Sequence, residues 1–470
     1  MLKKLIFSFL SLSMALAAPA QTADTADNAS ETAEKYVKIP KTYRYRVYFT
    51  DKKDSFYSLK RPQEFLSEKA LARRKKYGIK VDQYDLPVTP IYLEYLRSKD
   101  MKVLHVSKWN NTAVVETADT ALIHLLPKLK FVSNVVKVWE SGDSLLVRPK
   151  VDRRKMVFNS RDTIDGYYGH ALQQVSMLGV DSLHQAGFRG EDITIAVVDG
   201  GFLNADCLAG LRNCNILGTK NFVGNGTASV YDAQSHGTKV LSCIAADMPN
   251  ALVGTAPRAS FYLLQSEDND GESLVEEDNW CAALEYADSL GVDILTSSLG
   301  YYNFDDAATS HKYHELDGRT AVNSRAASLA ASRGILVLNS AGNSGNDPWK
   351  KIGFPADAHD IITVGALTPD LKNANFSSLG NTADGRIKPD VMALGQTAWM
   401  LDETGSITVA NGTSFSTPIL CGGVACLLQA CPEARPEEII RAVQQAGDNA
   451  AHPDNVYGYG VPNLWKAYQD

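Results

Sequence analysis

Short apolar runs of β type alternate with segments of helical periodicity from Tyr168 to the C-terminus. The runs are almost continuously apolar, as expected of parallel strands that are buried on both faces. This alternation predicts an α/β fold of three layers, with a mainly parallel central sheet and helices on both faces. We expect strands in ITIAVVD, FYLLQ, VDILTSSLG, GILVLNSAGN and IITVGAL, and helices in TKVLSCIAAD, EEDNWCAALEYADSLG, VNSRAASLAASRG, SFSTPILCGGVACLLQA and PEEIIRAVQQAG.

A separate α+β pattern occupies residues 43–140. The stretch YRYRVYFTD alternates like a strand, and PQEFLSEKALARRKKYG has the periodicity of a helix that ends at Gly78. A second helix is expected in VTPIYLEYLRSKD, strands in MKVLHVS, TAVVETA and VVKVWE, and a helical segment in ALIHLLPKL. We therefore predict a small α+β domain, followed by an exposed linker at residues 141–166. The pair Arg153-Arg154 in this linker is either a processing site or a solvated run of charge.

The N-terminal segment predicts export. Two lysines precede an apolar run from Leu5 to Ala17, and Ala18-Pro19-Ala20 has the small-x-small form of a signal cleavage site. An anchor helix is the alternative, but the run falls short of the roughly 18 apolar residues that crossing a bilayer takes. Residues 1–20 are therefore predicted to be a signal peptide, and the polar, acidic residues 21–42 a disordered spacer. No later segment is apolar enough to span a membrane, and the sequence does not distinguish periplasm, cell surface and medium.

Composition narrows the choice of partners. The chain of 470 residues is 44% hydrophobic and 21% charged, which is ordinary for a globular protein of more than one domain. Its net charge of -7 lacks the basic excess of nucleic-acid binders, so nucleic acid is not an expected partner. The seven cysteines are odd in number, which leaves at least one unpaired within the chain. Cys207 and Cys214 can close a short loop in an oxidising compartment, whereas Cys421 and Cys426 fit a buried helix.

Four polar side chains stand where predicted strands end or helices begin, and ligands bind at that edge of a parallel sheet. They are Asp199 in AVVDGG, His236 in SHGTKV, Asn343 in SAGNSG and Ser414 in NGTSFSTP. A histidine can act as a base, a serine hydroxyl as a nucleophile, and a side-chain amide can donate to an oxyanion. Taken singly, each also has a structural interpretation: a loop cap, a histidine at a helix start, a turn asparagine and a helix cap.

Taken together, the four motifs resemble, in order and in wording, the subtilisin-like serine proteases (subtilases, the peptidase S8 family). The triad of that family runs Asp, His, Ser along the chain. The stretches GTAPRASFYLLQ, FPADAHDIITVGAL, NFSSLG and KPDVMALG are similar to internal segments of the family, in the same order. The resemblance covers the chain from Tyr168 to Asp470 and implies a subtilisin-like catalytic domain at residues 167–470.

The resemblance also implies a role for each candidate residue. Asp199, His236 and Ser414 would form the triad, and Asn343 would hold the oxyanion. The domain at residues 43–140 resembles the inhibitory propeptide of secreted bacterial members. We then expect a secreted endopeptidase made as a zymogen, which acts on polypeptides, is inhibited by its own propeptide and cuts the linker itself.

By the same resemblance, the backbone of residues 297–300 would pair with the substrate as an added strand. The implied pocket consists of Ser297, Ser298, Leu299, Gly300, Ala341, Gly342, Ser344 and Gly353. None of these side chains is charged, which favours an apolar or medium-sized residue before the scissile bond. No cofactor is expected to be required; structural calcium is common in the family, but no acidic spacing specifies a site. His311 and His314 form an HxxH spacing without the glutamate of a zinc protease, so no metal residue is predicted.

Two positions depart from the wording that is common in the family. Lys239 replaces the second histidine of HGTH, and Phe415 stands where methionine often follows the nucleophile; neither lies in the triad. One alternative function is a catalytically silent subtilase scaffold that acts as a surface binding protein, and the intact triad argues against it. Another is an N-glycosylated adhesion domain, suggested by NGT at 411–413 and 225–227, but a glycan on the first motif would lie beside Ser414.

Overall fold

The structure, a computed structural model, describes residues 35–142, 144–147, 153–160, 162–224 and 228–470. The predicted signal peptide, the spacer up to residue 34 and the NGT motif at 225–227 lie outside these residues. The strands are β1 (Lys35–Lys38), β2 (Tyr43–Phe49), β3 (Lys102–Ser107), β4 (Thr112–Thr117), β5 (Val132–Glu140), β6 (Ser144–Val147), β7 (Thr194–Asp199), β8 (Asn215–Asn221), β9 (Asp247–Met248), β10 (Leu252–Val253), β11 (Ser260–Gln265), β12 (Ile294–Ser297), β13 (Leu336–Ser340), β14 (Ile362–Leu367), β15 (Val391–Leu394), β16 (Ala398–Leu401) and β17 (Ile407–Ala410). The helices are α1 (Glu68–Lys76), α2 (Pro90–Arg97), α3 (Thr120–Ile123), α4 (Leu172–Ser176), α5 (Val180–Gln185), α6 (His236–Ala245), α7 (Val275–Leu290), α8 (Val322–Ser332), α9 (Thr413–Ala430), α10 (Pro436–Gln445) and α11 (Leu464–Gln469).

Parallel strands form the central sheet, in the order β15-β14-β13-β12-β7-β11-β8. Helices cover both faces, so the predicted three-layer α/β fold is confirmed. The sequence pattern does not predict β8 and β15. The reason is physical: β8 is an edge strand with mostly polar or exposed side chains, and β15 is only four residues long.

Alternation along β7 divides the core between the two faces of the sheet. Ile195 and Val197 point to the face covered by α6 and α9, and Ala196 and Val198 to the face covered by α7 and α8. Successive side chains of a strand point to opposite faces, so an apolar run of this length requires helices on both sides.

Helix α9 is a core helix. Contrary to the expectation from the sequence, it is long and apolar enough to cross a membrane, and no other helix within the described ranges meets that test; 89% of its length, however, is buried inside the protein. The expectation that Cys421 and Cys426 are buried is confirmed, and no disulfide joins Cys207 to Cys214 in the described structure. Burial of this helix fixes the position of its first turn, where Ser414 lies.

The N-terminal domain is the predicted α+β unit. Its antiparallel sheet has the order β3-β4-β2-β5, and its own core includes Val47, Tyr92 and Leu96. Two helices are shorter than predicted. Helix α1 begins only at Glu68, because the Ser67 hydroxyl caps it by accepting from an amide N–H in its first turn, and α3 ends at Ile123.

A short antiparallel pair lies within the segments for which we predict a spacer and a linker. Strand β1, in the predicted spacer, pairs with strand β6, in the predicted linker. Each strand carries two β-type apolar residues, Tyr36-Val37 and Leu145-Leu146. The two expected irregular segments thus pair with each other at these positions.

The N-terminal domain packs on helix α7 of the larger domain. Val114 of β4 and Val138 of β5 join an apolar cluster with Leu274 and Val275 at the start of that helix. Trp109, between β3 and β4, inserts into the core under α7 and α8. Successive residues of β4 therefore pack into different cores. Ala113 and Val115 belong to the N-terminal domain's own core, whereas Val114 packs against the larger domain.

Buried ion pairs complete this interface. Arg46 of β2 makes a two-point contact with Asp278, at 2.7 Å to each carboxylate oxygen. Asp288 accepts from Arg73, from Arg74 at 3.1 Å and from Lys108 at 2.8 Å, and it has no exposed surface. Although burial opposes ionisation, the three cations hold the pKa of Asp288 well below its usual range. Docking thus depends on the carboxylates of one helix.

We expect Asp288→Asn to destabilise the two-domain chain, because it removes the buried carboxylate that Arg73, Arg74 and Lys108 share. Breaking a buried ion pair by removing one partner costs about 3–5 kcal/mol. The measurement is urea unfolding of the full chain, followed by tryptophan fluorescence, with Ser414→Ala present in both proteins to prevent cleavage. Asp370→Asn is the matched control, since its partner Lys372 is exposed, and it should leave the unfolding midpoint unchanged. Equal midpoints for the two variants would contradict the interface described above.

Candidate active site

Asp199 and His236 form a hydrogen-bonded pair at the carboxyl edge of the sheet. Asp199 is the last residue of β7, is fully buried and accepts from the Gly200 N–H at 2.8 Å. The Nδ1 atom of His236, the first residue of α6, lies 2.8 Å from Asp199 Oδ1. A Cβ atom on Gly237 would lie 2.4 Å from the Gly201 carbonyl oxygen, so glycine at this position permits the close approach of α6 to β7.

The carboxylate determines which nitrogen of His236 can act as a base. A carboxylate only accepts hydrogen bonds, so Nδ1 carries the proton and Nε2 of the neutral ring has a free lone pair. Burial lowers the pKa of His236, but the charge of Asp199 and its hydrogen bond outweigh that effect and raise the pKa above its usual value. The ring lies beside Phe415, with centroids 5.8 Å apart.

Ser414 lies in the first turn of α9 and is 7% exposed. Its hydroxyl donates to the Ser298 carbonyl oxygen at 3.3 Å, and the Ser298 hydroxyl donates to the Ser414 carbonyl oxygen at 2.8 Å. These reciprocal bonds tie the start of α9 to the end of β12. Among the hydrogen bonds of the described residues, none joins Ser414 to His236. The Ser414 N–H belongs to the first turn, where amide groups have no acceptor within the helix.

The amide of Asn343 has a fixed orientation. Its Oδ1 atom accepts from the Thr413 N–H at 2.9 Å and from the Thr413 hydroxyl at 3.0 Å. With the oxygen bound to α9, the Nδ2 group is the part of the amide that remains as a donor. Asn343, His236 and Ser414 line the same cavity.

The cavity has a volume of about 470 Å³ and contains most of the predicted substrate residues. Those that line it are Ser298, Leu299, Gly300, Gly342, Ser344 and Gly353. Ser297 and Ala341 are the exceptions, since both are fully buried behind the wall. The Ser297 hydroxyl accepts from the Trp280 indole at 2.9 Å, and the Ala341 N–H donates to the Val364 carbonyl oxygen at 3.0 Å. The expectation that these two residues face the substrate is therefore corrected.

One end of the cavity carries carboxylates that our sequence analysis did not assign to the site. Glu267, Asp268 and Glu272 line it, in the polar run SEDNDGES directly after β11. Burial raises the pKa of Glu267 to about 8 and that of Glu272 to about 7. The position of this run could have indicated a role in the site, because it follows a strand that ends at the same carboxyl edge of the sheet as Asp199.

Carboxylate oxygens of Glu267, Glu272 and Glu276 lie within 4.8 Å of one another, which raises the question of calcium. The oxygens of Glu276 accept from the N–H groups of Asp268 and Ser273 at 2.8 and 3.1 Å, and the Tyr301 hydroxyl donates to Glu267. Calcium needs six to eight oxygen ligands, and these oxygens already accept hydrogen bonds from the protein. The cluster fits a hydrogen-bonded network, and we assign no metal to it.

Comparisons with known proteins show which family the chain is similar to. Residues 190–460 match the model of the Subtilase family, and residues 44–152 match that of the Peptidase S8 propeptide domain of Bacteroidota. Subtilisin DY of Bacillus licheniformis is 26% identical over 297 residues, which cover 63% of this chain and 97% of the relative. Subtilisin of Bacillus pumilus is 30% identical over 299 residues, covering 63% of this chain and 98% of the relative.

A solved structure extends the likeness of fold to the N-terminal part of the chain. It is the epidermin leader peptide processing serine protease of Staphylococcus aureus, with a TM-score of 0.63 and 18% identity, covering 91% of this chain and 98% of that one. From its domain match and its subtilisin relatives, the chain belongs to the subtilase family, as a serine-type endopeptidase with an N-terminal propeptide domain.

Proposed function

We propose that the protein is an exported endopeptidase, made as a zymogen, that hydrolyses peptide bonds through Asp199, His236 and Ser414. The observation that supports the proposal most strongly is the 2.8 Å bond between Asp199 and His236 at the wall of a cavity that also contains Ser414 and Asn343. A base that is oriented by a buried carboxylate beside a serine is what nucleophilic catalysis requires.

Catalysis begins when the Ser414 hydroxyl turns from the Ser298 carbonyl oxygen toward Nε2 of His236. Nε2 takes the hydroxyl proton as Oγ bonds to the substrate carbonyl carbon, and the histidine later passes that proton to the leaving amine. Water then repeats the sequence on the acyl-enzyme and releases Ser414. Asp199 remains ionised and stabilises the imidazolium.

The tetrahedral oxyanion lies between two donors. Asn343 supplies its Nδ2 group, whose orientation is fixed by the bonds from Thr413 to Oδ1. The Ser414 N–H at the start of α9 supplies the second, where the helix dipole also favours negative charge. Both donors belong to well-packed elements, so they need little reorganisation as charge develops.

The substrate is a polypeptide bound along residues 298–300. Backbone pairing at this segment would give affinity, and the uncharged pocket residues favour an apolar or medium-sized side chain before the scissile bond. Subtilisins need no organic cofactor, and the same holds here. Structural calcium is common in the family, but no calcium site is assigned.

The zymogen consists of a signal peptide at residues 1–20, a spacer at 21–42, an inhibitory domain at 43–140, a linker at 141–166 and a catalytic domain at 167–470. Within the described part of the linker, Arg153 is bound to Asp206 at 2.8 Å and to Asp232 at 2.5 Å. This anchoring disfavours cleavage at Arg153 itself, because a protease needs an extended, accessible segment. The linker is the proposed site of self-cleavage. Export would take the enzyme to the periplasm, the cell surface or the medium.

The alternative is a catalytically silent scaffold that binds partners at the cell surface. No specific observation favours it, because the cavity contains a base, a hydroxyl and an oriented amide donor together. Covalent labelling of the serine distinguishes the two functions directly, since only an activated hydroxyl reacts with a fluorophosphonate.

We expect Ser414→Ala to abolish fluorophosphonate labelling, peptide hydrolysis and maturation of the isolated chain, while the fold is retained. Ser416→Ala is the control, because its hydroxyl lies on the same helix but bonds to the Thr413 carbonyl oxygen at 3.0 Å. Labelling is measured by gel fluorescence, and the mature N-terminus by mass spectrometry. Hydrolysis by purified Ser414→Ala at a rate near that of the wild type would refute the assignment.

We expect kcat to rise with pH through the pKa of His236, because only the neutral ring can accept the serine proton. That pKa lies above the usual value of about 6.5, so the midpoint of the rise should lie above it as well. Asp199→Asn should lower the midpoint of the residual activity, since it removes the charge that favours the imidazolium. A wild-type midpoint at or below about 6.5 would show that Asp199 does not have this effect.

We expect Asn343→Ala to lower kcat by about 10²- to 10³-fold with little change in KM, because the amide donates only to the oxyanion of the transition state. That magnitude is taken from a subtilisin, a member of the same family. Steady-state kinetics on a peptide substrate give both constants. An unchanged kcat with a raised KM would instead assign Asn343 to ground-state binding.

A further inference from the structure

His311 is a buried histidine outside the triad, in the segment between β12 and α8. Its Nε2 atom lies 2.6 Å from Glu277 Oε1 on α7, and its Nδ1 atom lies 3.1 Å from Glu315 Oε2. The His311 side chain is 10% exposed and that of Glu277 is 1% exposed. Both ring nitrogens therefore meet carboxylates, that of Glu277 buried and that of Glu315 partly exposed.

This arrangement requires the charged form of the ring. A carboxylate can only accept, and a neutral imidazole has one donor, so two carboxylate partners are satisfied together only when both nitrogens carry protons. Burial lowers the pKa of His311, but the charge of Glu277 and the hydrogen bonds of both glutamates outweigh that effect and raise it. If the ring loses one proton, a lone pair faces a carboxylate and one bond is lost.

The ring also supports the wall of the substrate cavity. The backbone N–H of His311 donates to the Tyr302 carbonyl oxygen at 2.8 Å, and the His311 ring centroid lies 4.2 Å from that of Phe354. Tyr301 and Phe354 exchange two backbone hydrogen bonds of 2.9 Å. Their neighbours Tyr302 and Gly353 line the cavity that contains Ser414.

The propeptide domain approaches the same carboxylate. Arg46 of that domain lies 3.7 Å from Glu277 Oε2, besides its contact with the adjacent Asp278. Among the described residues, Arg46 and His311 are the cations paired with Glu277. In the mature enzyme that we propose, Arg46 has left, and His311 alone keeps that charge balanced.

We propose that His311 is a positioning residue: its imidazolium, held between Glu277 and Glu315, fixes the cavity wall formed by residues 301–302 and 353–354 for substrate binding. This inference rests on the proposed function, because the wall matters only if peptides bind beside Ser414. The charged groups that face the ring are Glu277 from α7 and Glu315 from its own segment, while the adjoining rings of Phe304 and Phe354 carry no charge.

The His311 imidazolium bonded to both Glu277 and Glu315 is called the clamp below. The sign of the pH effect follows because the clamp exists only with the protonated ring. The pKa of His311 is raised in the folded protein, so the clamp is complete below that pKa and is lost as the pH rises through it. KM should therefore rise on the alkaline side. The effect of His236 lies in kcat and runs in the opposite direction, since its deprotonation activates the enzyme.

The test is the pH dependence of KM and kcat for the mature enzyme on a peptide substrate, from about pH 6 to about pH 10. We expect the wild-type KM to rise about tenfold on the alkaline side, as expected for losing a hydrogen bond to a charged group. His311→Gln should have the raised KM at every pH, with the kcat profile of the wild type. The control is His314→Gln, an exposed histidine three residues along the chain, which should behave as the wild type.

Glu277→Gln provides a rescue that a merely structural role would not show. The glutamine amide can donate to the neutral Nε2 while Nδ1–H donates to Glu315, so the clamp should persist at high pH and KM should stay low throughout. Glu315 is less suited to this change, because the oxygen that contacts Nδ1 also accepts from the Lys312 N–H at 2.8 Å. Glu277→Gln keeps the test open if His311→Gln does not fold. A wild-type KM that does not change with pH, or an alkaline rise in Glu277→Gln equal to that of the wild type, overturns the proposal.

Fluorophosphonate labelling separates failure of this inference from failure of the proposed function. If the wild type is labelled at Ser414 but its KM is independent of pH, only the role of His311 is wrong. If the wild type is neither labelled nor active, both proposals are overturned together.

Discussion

The parallel direction of the central strands is the constraint on which the rest of the structure depends. It brings the carboxyl ends of β7, β12 and β13 side by side, although Asp199, Ser297 and Ser340 are far apart in the chain. Helix α9 then adds Ser414, because hydrogen bonds from its first turn reach the residues that follow β12 and β13. The geometry of the site therefore depends on strand order and helix burial, and each motif supplies only one of its side chains.

This dependence explains how much could be predicted from the sequence. Asp199, His236, Asn343 and Ser414 could be proposed because each lies at or near an element boundary and because their motifs together resemble those of the subtilases in order and wording. Ser297 and Ala341 show the limit, since they belong to the right segments but are buried behind the cavity wall. Strands β12 and β13 are buried along their whole length, so accessible positions begin only beyond the strand ends, and neither a motif nor its spacing determines at which residue that happens.

The interface between the two domains could not be predicted for a different reason. Helix α7 was expected from its pattern, but an acidic helix face by itself predicts a surface that is exposed to solvent. Asp278 and Asp288 can be buried because they bind cations that lie at least 180 positions earlier in the chain. Buried ion pairs of this kind contribute more to specific docking than to net stability. On the release that we propose, these carboxylates can return to water, whereas the apolar contacts of Val114, Val138 and Trp109 leave newly exposed apolar surface.

The two carboxylate-bound histidines show how the number of partners selects the role of an imidazole. His236 has one carboxylate, on Nδ1, so the neutral ring keeps that hydrogen bond and its Nε2 can exchange a proton. His311 has a carboxylate on each nitrogen, so only the imidazolium satisfies both. The first arrangement provides a base whose charge changes during each turnover, and the second a cation that stays charged to hold a wall in place. Since the surroundings raise the pKa of both rings, the pKa alone would not tell them apart; the geometry at the second nitrogen does.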